Sequence, residues 1–445
     1  MFKKVELWWV LLILILGAGS LILFGAAVKH KMSGGQKLGK LGDIVLELSS
    51  VPVNAKKIFS TPPSKEWEKA SYIQPQIRNY TEFSNLKVND PSQRLEGLLL
   101  VPGYNPEYGV TTVFLYDLGA KKKLHEWIPP IQDIFKATSF HEGSNLQENY
   151  RTQHPLLLDN GSLIFHSGEG PLARIDMCGN LTWVIDQHFH HSIEQAKNGN
   201  LFVPIAFGTS SDPSEIETEG HFVNPLREDG IAEITPDGKI VRTISIMDIL
   251  ENQEYVGLMY GVGEYEVDRF HLNDIQPVNT ADDFVQEGDL ILSIRNLSTV
   301  MLYRPSSNKI VWLKTGPWLN QHDADYQGNG IFTIYGNDFV RGKDMPRKVS
   351  NIWMYDQKQD ESRILFELND KGSTETGGLH EVLENGDIFV EGSRSSTLIM
   401  YGKNGAKWEF VNSIEDGKVG AIHWSRYLDK NKVNLNWLSD VNCKS

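Results

Sequence analysis

The sequence has few cysteines and no excess of positive charge. Cys178 and Cys443 are its only cysteines, and their spacing fits no zinc-binding motif. Two cysteines exclude a disulfide-rich scaffold and leave two alternatives, a single bridge or two free thiols. Lys and Arg number 43 against 57 Asp and Glu, a formal net charge of −14. Since nucleic-acid binding requires a positive face, this balance argues against a nucleic-acid partner.

A long apolar run occurs only at the N-terminus. Residues Trp8–Val28 carry no charge over 21 positions, enough for a helix to span a bilayer. A cleaved signal peptide usually has an apolar run of about 7–15 residues. We therefore expect an uncleaved anchor over residues 1–31, with cleavage after Gly25–Ala27 as the alternative. Lysines flank the run on both sides, so charge bias leaves its orientation open. Residues 32–92 are expected to form a stalk and N-terminal extension.

Helical periodicity is scarce beyond this run. From residue 93 to 430, short apolar segments such as "GLLLVPG", "DLILSIR" and "NIWMYD" alternate with Gly, Asn and Asp. This pattern is typical of β-strands joined by tight turns. The segment "SIMDILENQEY", near 245–255, favours a helix. We predict an all-β domain over residues 93–430, followed by a C-terminal tail over 431–445.

The strand pattern repeats along the chain. Several segments share one order: a His, a Gly-containing turn, an apolar strand, and a second strand that ends in Tyr or Asp. They begin at His154, His191, His271, His322 and His380. Together with the segment from Glu96 to Trp127 they predict a six-bladed β-propeller with an N-terminal transmembrane helix. A tandem of β-sandwiches is the alternative. Residues 421–428, "AIHWSRYL", are expected to supply a closing strand or to line the channel.

The repeated histidines allow three interpretations. The innermost strand of each propeller blade faces the central channel, so a His ahead of that strand in several blades places imidazoles in one ring. In the first interpretation each His only caps a turn or bonds a neighbouring blade. In the second, His188, His190 and His191 of "HFHH" bind zinc or copper, a site that would normally include a carboxylate. In the third, the imidazoles line an anion-binding pocket.

Arginine supports the third interpretation. Arg295 lies in "LSIRNLS", in the unit that begins at His271. An Arg in such an apolar strand is unusual unless it faces an anion, and its planar fork suits tetrahedral oxyanions. An ion pair with one of the many carboxylates is the alternative. Arg394 occupies the matching place in "EGSRSS". The candidate substrate-binding residues are therefore Arg394, His154, His190 and His380.

Four phrases in this order carry a family resemblance: "HHSIEQAKNGNLFV", "DRFHLNDIQPV", "DLILSIRNLSTVMLY" and "QHDADYQGNGIFTIYGN". From about Ser139 to the C-terminus the chain resembles the bacterial arylsulfotransferase (aryl-sulfate sulfotransferase) family of exported six-bladed propellers. The resemblance implies three catalytic histidines and one arginine at the channel mouth, with no nucleotide donor, metal or other cofactor. In this sequence the matching residues are His191, His271, Arg295 and His322, with His190 as the alternative to His191.

The resemblance implies a two-step transfer of a sulfuryl group. Neutral His322 attacks the sulfur of an aryl sulfate donor, releases a phenol and forms a sulfohistidine. A phenolic or other hydroxyl acceptor then takes the group. Arg295 and protonated imidazoles hold the sulfuryl oxygens, and His191 or His271 moves protons. The acidic insertion "NTADDFVQEGD" after His271 departs from what an anion site is expected to have nearby.

Two functions follow from the sequence. One is a nucleotide-independent sulfotransferase held by a single helix, with its propeller in the periplasm or outside the cell. The other is a non-catalytic propeller that binds an anionic ligand or a partner protein. They differ in whether His271, Arg295 and His322 converge in one pocket. The sequence leaves the natural donor, the acceptor and the oligomeric state open.

Overall fold

The computed structural model describes residues 7–32, 77–79, 85–89, 95–139, 150–207, 228–260, 268–339, 349–368, 371–415, 417–441 and 443, with isolated positions between 38 and 48. The chain divides into an N-terminal unit and a larger unit that contains all the described strands. The N-terminal unit contains helix α1 (Leu7–Met32), of which Trp8–His30 is long and apolar enough to cross a membrane. A signal sequence meets the same criteria. Most of the predicted stalk lies outside the described residues.

The larger unit is built from antiparallel strands. In its first part they are β1 (Ile77–Asn79), β2 (Leu86–Val88), β3 (Leu98–Asn105), β4 (Val110–Asp117), β5 (Lys122–Trp127), β6 (Gln153–Leu157), β7 (Leu163–His166), β8 (Gly170–Ile175), β9 (Leu181–Phe189), β10 (Glu194–Gln195), β11 (Leu201–Phe207), β12 (Glu228–Ile234) and β13 (Ile240–Ser245). In its second part they are β14 (Leu272–Pro277), β15 (Leu290–Ile294), β16 (Thr299–Arg304), β17 (Lys309–Thr315), β18 (Asp323–Gly328), β19 (Ile331–Gly336), β20 (Asn351–Asp356), β21 (Glu361–Glu367), β22 (Leu379–Val382), β23 (Ile388–Gly392), β24 (Thr397–Gly402), β25 (Gly405–Val411), β26 (Ser413–Glu415), β27 (Lys418–Gly420) and β28 (Arg426–Leu428).

Helical elements are short in this unit. They are α2 (Ile131–Ala137), α3 (Ile246–Glu251), α4 (Val256–Tyr260) and the 3-10 turns Arg295–Leu297 and Asn436–Ser439. The helix predicted near 245–255 is confirmed as α3, which begins at a Ser245 cap that accepts from the Asp248 amide. Helices α2 and α4 were not predicted from the sequence, because a helix of two turns or fewer has too little periodicity to detect.

The sheets have a propeller-like arrangement. Four of them contain four or five strands each: β28–β3–β4–β5, β14–β15–β16–β17, β18–β19–β20–β21 and β2–β25–β24–β23–β22. An eight-stranded sheet contains β6 to β13, and a three-stranded sheet contains β1, β27 and β26. The first strands of successive sheets lie beside one another, as β14 lies beside β18 and β18 beside β22. The all-β, propeller-like prediction is confirmed.

The two ends of the larger unit meet in one sheet. Strand β28 pairs with β3, so that Tyr427 lies opposite Leu99 and the segment 421–428 supplies a closing strand, as predicted. The predicted tail also packs against the sheets, because Trp437 is buried with its ring 5.5 Å from that of Trp127. Cys443 forms a disulfide with Cys178 across a Cα–Cα distance of 5.3 Å. Of the two alternatives for the cysteines, the structure has the single bridge.

Apolar side chains fill the spaces between successive sheets. Trp312 of β17, for example, stacks on Phe332 of β19 with ring centroids 4.5 Å apart. Strand β15 is buried along its whole length, whereas β17 is largely half-exposed or exposed. Each large apolar side chain that is fully buried contributes roughly 1.5–3 kcal/mol. Both faces of the middle strands are covered, which is why these strands read as continuous apolar runs.

Candidate active site

Three of the five repeated histidines take an unusual backbone conformation. His154, His191 and His271 have φ values of 43°, 59° and 52°. The left-handed region is sparsely populated by residues other than Gly, costs about 1–3 kcal/mol, and occurs preferentially at functional sites. His271 and His322 come directly before β14 and β18, the first strands of their sheets. The prediction that a repeated His precedes the first strand therefore agrees with the structure at His271 and His322, whereas His154 and His380 lie inside β6 and β22.

The three predicted catalytic histidines lie together. The ring of His191 is 4.9 Å from that of His271 and 6.1 Å from that of His322. Trp424 covers the same group, with its ring 5.8 Å from His191 and 6.5 Å from His322. Residues 80 and 51 positions apart in sequence are thus brought into one cluster by the arrangement of the sheets.

His322 is held as one neutral tautomer. Its Nε2 accepts a 2.9 Å hydrogen bond from the Gly377 amide, so the ring proton is on Nδ1, which donates to Oδ1 of Asn337 at 2.6 Å. Asn337 is itself oriented, because its Nδ2 donates to the carbonyls of Thr374 and Gly377, each at 2.9 Å. Burial, followed by the positive charge of Arg295, lowers the pKa of His322 to about 3. His322 is therefore neutral at ordinary pH.

His271 forms a pair with a carboxylate. Its Nδ1 donates to Oδ2 of Asp268, three residues earlier. Nε2 is consequently the ring atom that can exchange a proton with a bound molecule, as in other carboxylate–histidine pairs. The two side chains are 19% and 33% exposed, so this part of the cluster is open to solvent.

Arg295 lies against His271 through the backbone. Its amide donates to the carbonyl of His271 at 3.1 Å, at the start of the 3-10 turn that follows β15. One guanidinium nitrogen, Nη1, donates to the side-chain oxygen of Asn296 at 2.7 Å. The positive charge of this guanidinium is one cause of the lowered pKa of His322. The backbone contact thus connects Arg295 to His271.

His190 and His191 form a bonded pair of imidazoles. Their Nδ1 atoms are 2.8 Å apart, and Nε2 of His190 lies 3.5 Å from the buried carboxylate of Asp229. Burial and the surrounding imidazoles, that of His271 first, lower the pKa of His191 well below its usual range. The carbonyl of His191 accepts a hydrogen bond from Nε2 of His166 at 2.8 Å. Nδ1 of His166 in turn accepts a hydrogen bond from the Gly168 amide.

The other predicted binding residues lie outside this cluster. Arg394 is exposed in the turn after β23 and pairs with Glu375 at 3.2 Å. His154 and His380 line a cavity of about 290 Å³ whose lining includes Trp424 but none of His191, His271 and His322. Within the described residues, the group that could hold a metal ion is Asp323, Asp325 and His380. This group does not include the "HFHH" segment.

Several residues of the site were missed at the level of sequence. Asp268 could have been predicted from the sequence, since it lies three residues before His271 in "DRFH". Asn337 follows β19 and meets His322 only because β18 and β19 pair as neighbours. Gly377 comes from another segment and has no sequence signal. Trp424 belongs to the segment expected to line the channel.

Comparison with known proteins identifies a family. The sequence model of the family described as "Arylsulfotransferase (ASST)" matches residues 154–413. Among solved structures, a protein of unknown function from Bacteroides caccae is 13% identical, with 76% of this chain and 100% of that chain covered and a TM-score of 0.47. Streptogramin B lyase is 9% identical, with 74% and 88% covered and a TM-score of 0.40. No curated protein matches this chain.

Proposed function

This chain belongs to the arylsulfotransferase (ASST) family, and from that premise we propose that it moves a sulfuryl group from an aryl sulfate to a phenol or another hydroxyl, without a nucleotide donor. The observation that carries the proposal is that His191, His271 and His322 lie in one cluster and that His322 is neutral and oriented. A nucleophilic histidine must be unprotonated, and its reacting nitrogen must be defined.

In the proposed first step, Nε2 of His322 attacks the donor sulfur. A nitrogen–sulfur bond forms while the sulfur–oxygen bond to the phenol breaks. The phenolate takes a proton from Nε2 of a protonated His271, whose Nδ1 proton stays with Asp268. Nδ1–H of His322 stays bonded to Asn337, which disperses the positive charge of the sulfated ring. Arg295 stabilises the sulfuryl oxygens, where negative charge resides during transfer.

In the proposed second step, an acceptor hydroxyl gives its proton to Nε2 of His271 and attacks the sulfur. The nitrogen–sulfur bond breaks and neutral His322 returns. The ring of Trp424 offers an apolar face beside His191 and His322 for the aryl group of either partner. Attack by Nε2 also requires its bond from the Gly377 amide to open, and that amide can then donate to a sulfuryl oxygen.

We further propose six blades and an exported propeller. The eight-stranded sheet consists of two successive groups, β6–β9 and β10–β13, joined through pairing of Phe189 with Ile205 and of His188 with Ala206. Counting them as two blades gives six with the four separate sheets. The disulfide between Cys178 and Cys443 favours an oxidising compartment, so α1 would leave the propeller in the periplasm or outside the cell.

One observation favours a second function, a non-catalytic propeller that binds an anion. The nucleophilic lone pair of His322 is occupied by the Gly377 amide. If that bond does not open, the positive charge of Arg295 and the proton donors around it would still bind an anionic group.

An assay without nucleotide distinguishes the sulfotransferase from the anion-binding propeller. The full-length chain in detergent would be given 4-nitrophenyl sulfate with and without phenol, and release of nitrophenolate would be followed. We expect release that depends on phenol, lost in His322→Ala and kept in His188→Ala, which removes an exposed imidazole nearby. Equal activity of wild type and His322→Ala would contradict transfer through His322. Binding of the donor without release by wild type would favour the anion-binding propeller.

A further inference from the structure

The cavity lined by His154 and His380 lies among the first strands of the sheets. It has a volume of about 290 Å³ and adjoins a larger recess of about 1210 Å³, with which it shares Glu381, Tyr427 and Leu428 as lining. The carboxylates that line the smaller cavity are Glu194, Asp274, Asp323, Asp325 and Glu381. The cation among its lining residues is Arg426, whose Nη1 pairs with Glu194 at 3.1 Å. Negative charge therefore exceeds positive charge among the described residues of this lining.

His380 projects a lone pair into this cavity. Its side chain is fully buried, and Nδ1 donates to Oδ2 of Asp323 at 2.7 Å. Nε2 has no hydrogen-bond partner among the described residues, and it lies 3.9 Å from Oδ2 of Asp325. With the proton on Nδ1, Nε2 carries a lone pair that faces a carboxylate. Two facing acceptors at this separation are stabilised when a cation, or a molecule that donates to both, binds between them.

We propose that a divalent metal ion binds between Nε2 of His380 and the carboxylate of Asp325. Asp323, Asp325 and His380 each offer a ligand atom, and these atoms lie within 4.8 Å of one another. A metal-bound imidazole usually donates its other N–H to a carboxylate, which is the contact that His380 makes with Asp323. The carboxylate of Asp325 is oriented as well, because its Oδ1 accepts from Nε2 of Gln276 at 2.7 Å.

The ligand types narrow the choice of ion. Carboxylates suit Mg²⁺, Ca²⁺ and Mn²⁺, whereas imidazole suits first-row ions such as Zn²⁺ and Fe²⁺. A mixed set therefore favours a first-row divalent ion. The larger recess gives it a path from solvent.

The site would connect two sheets. Asp323 and Asp325 belong to β18 and His380 to β22. An ion held between them fixes the first strands of neighbouring sheets, and β18 directly follows His322. The role is therefore structural support beneath the histidine cluster, separate from sulfuryl transfer.

Mn²⁺ titration of the metal-stripped full-length chain tests the site, with free Mn²⁺ measured by electron paramagnetic resonance. We expect one Mn²⁺ per chain for wild type, and at least about tenfold weaker binding in both Asp325→Asn and His380→Gln. Asp360→Asn, which removes an exposed carboxylate, should bind as wild type does. Circular dichroism establishes that each variant is folded. If Asp325→Asn does not fold, His380→Gln decides the test alone.

Two results would overturn this proposal. One is the absence of Mn²⁺ binding to wild type at up to about 1 mM, the weak end of protein sites for divalent ions. The other is equal binding by wild type and a folded His380→Gln variant, which would place the ion elsewhere. The readout does not depend on sulfuryl transfer.

Discussion

Nδ1 of His322 lies 2.6 Å from Oδ1 of Asn337, and this bond determines which nitrogen of the ring carries the proton. Because Asn337 also donates to the carbonyls of Thr374 and Gly377, its amide cannot turn over without losing two hydrogen bonds. Nε2 of His322 is thereby left unprotonated. Asn337 is a positioning residue for the proposed nucleophile, as the carboxylate partner is in other histidine-dependent enzymes.

Substitution Asn337→Ala should lower kcat by about 100-fold, because small misplacements of a reacting group have effects of that size. KM for the donor should change little, since Asn337 does not face the sulfuryl group. The variant also removes two hydrogen bonds to the carbonyls of Thr374 and Gly377, so its free energy of unfolding should fall by about 2 kcal/mol. Steady-state kinetics and urea unfolding measure the two effects. A loss of stability with unchanged kcat would restrict Asn337 to a structural role.

Asp268→Asn tests the pairing with His271. The amide cannot accept a full-strength bond from Nδ1–H and can impose the wrong tautomer, so transfer to phenol should fall by about 10²–10⁴-fold. Asp360→Asn, in the exposed turn between β20 and β21, is the matched control and should keep full activity. Nitrophenolate release gives the rates. An Asp268→Asn enzyme as active as wild type would remove His271 from proton transfer.

Stability should depend on pH through the buried histidines. Burial lowers the pKa of His322 to about 3 and that of His166 to about 4, below the usual value near 6.5. Between those values the unfolded chain binds protons that the folded chain does not, so the free energy of unfolding falls as pH decreases from 6.5. For each residue the full effect is on the order of a few kcal/mol.

Urea unfolding at pH 7 and pH 5 measures this dependence. His322→Gln should lose less stability between the two pH values than wild type does, since it lacks one group that titrates on unfolding. The comparison between variants is needed because Glu381, whose pKa is raised to about 7 by burial, acts in the opposite direction. Equal losses in wild type, His322→Gln and His166→Gln would contradict the buried, neutral state of both imidazoles.

The disulfide should stabilise the larger unit. It joins positions 265 residues apart, and loss of a native bridge typically costs about 2–5 kcal/mol. Cys443→Ser should therefore lower Tm. In wild type, thiol reagents should label the two cysteines only after the protein has been unfolded and reduced. Cys178→Ser is the matched variant, and it should have the same Tm as Cys443→Ser. Labelling of both cysteines in the untreated protein would show that the bridge is absent.

Much of the fold and part of the candidate site could be predicted from the sequence. Middle strands such as β15 and β16 are mostly apolar because both faces are buried, which is why the sequence predicts them. The strand Arg426–Leu428 was also recognised from its place after the last repeat. By contrast, the bond from Asn337 to His322 depends on strand pairing, and that from Gly377 on contact between segments far apart in sequence. Arg394 matched Arg295 in the repeat but lies in an exposed turn, since a repeat fixes the strand and not the burial of the turn after it.

Trapping of the covalent intermediate tests the central claim most directly. Full-length wild type would be mixed with a ³⁵S-labelled aryl sulfate without acceptor, quenched in alkali and digested to locate the label. We predict labelling of the peptide that contains His322, release of the label when phenol is added, and no label in His322→Ala. Label that persists in His322→Ala, or phenol-dependent turnover without any labelled protein, would contradict transfer through His322.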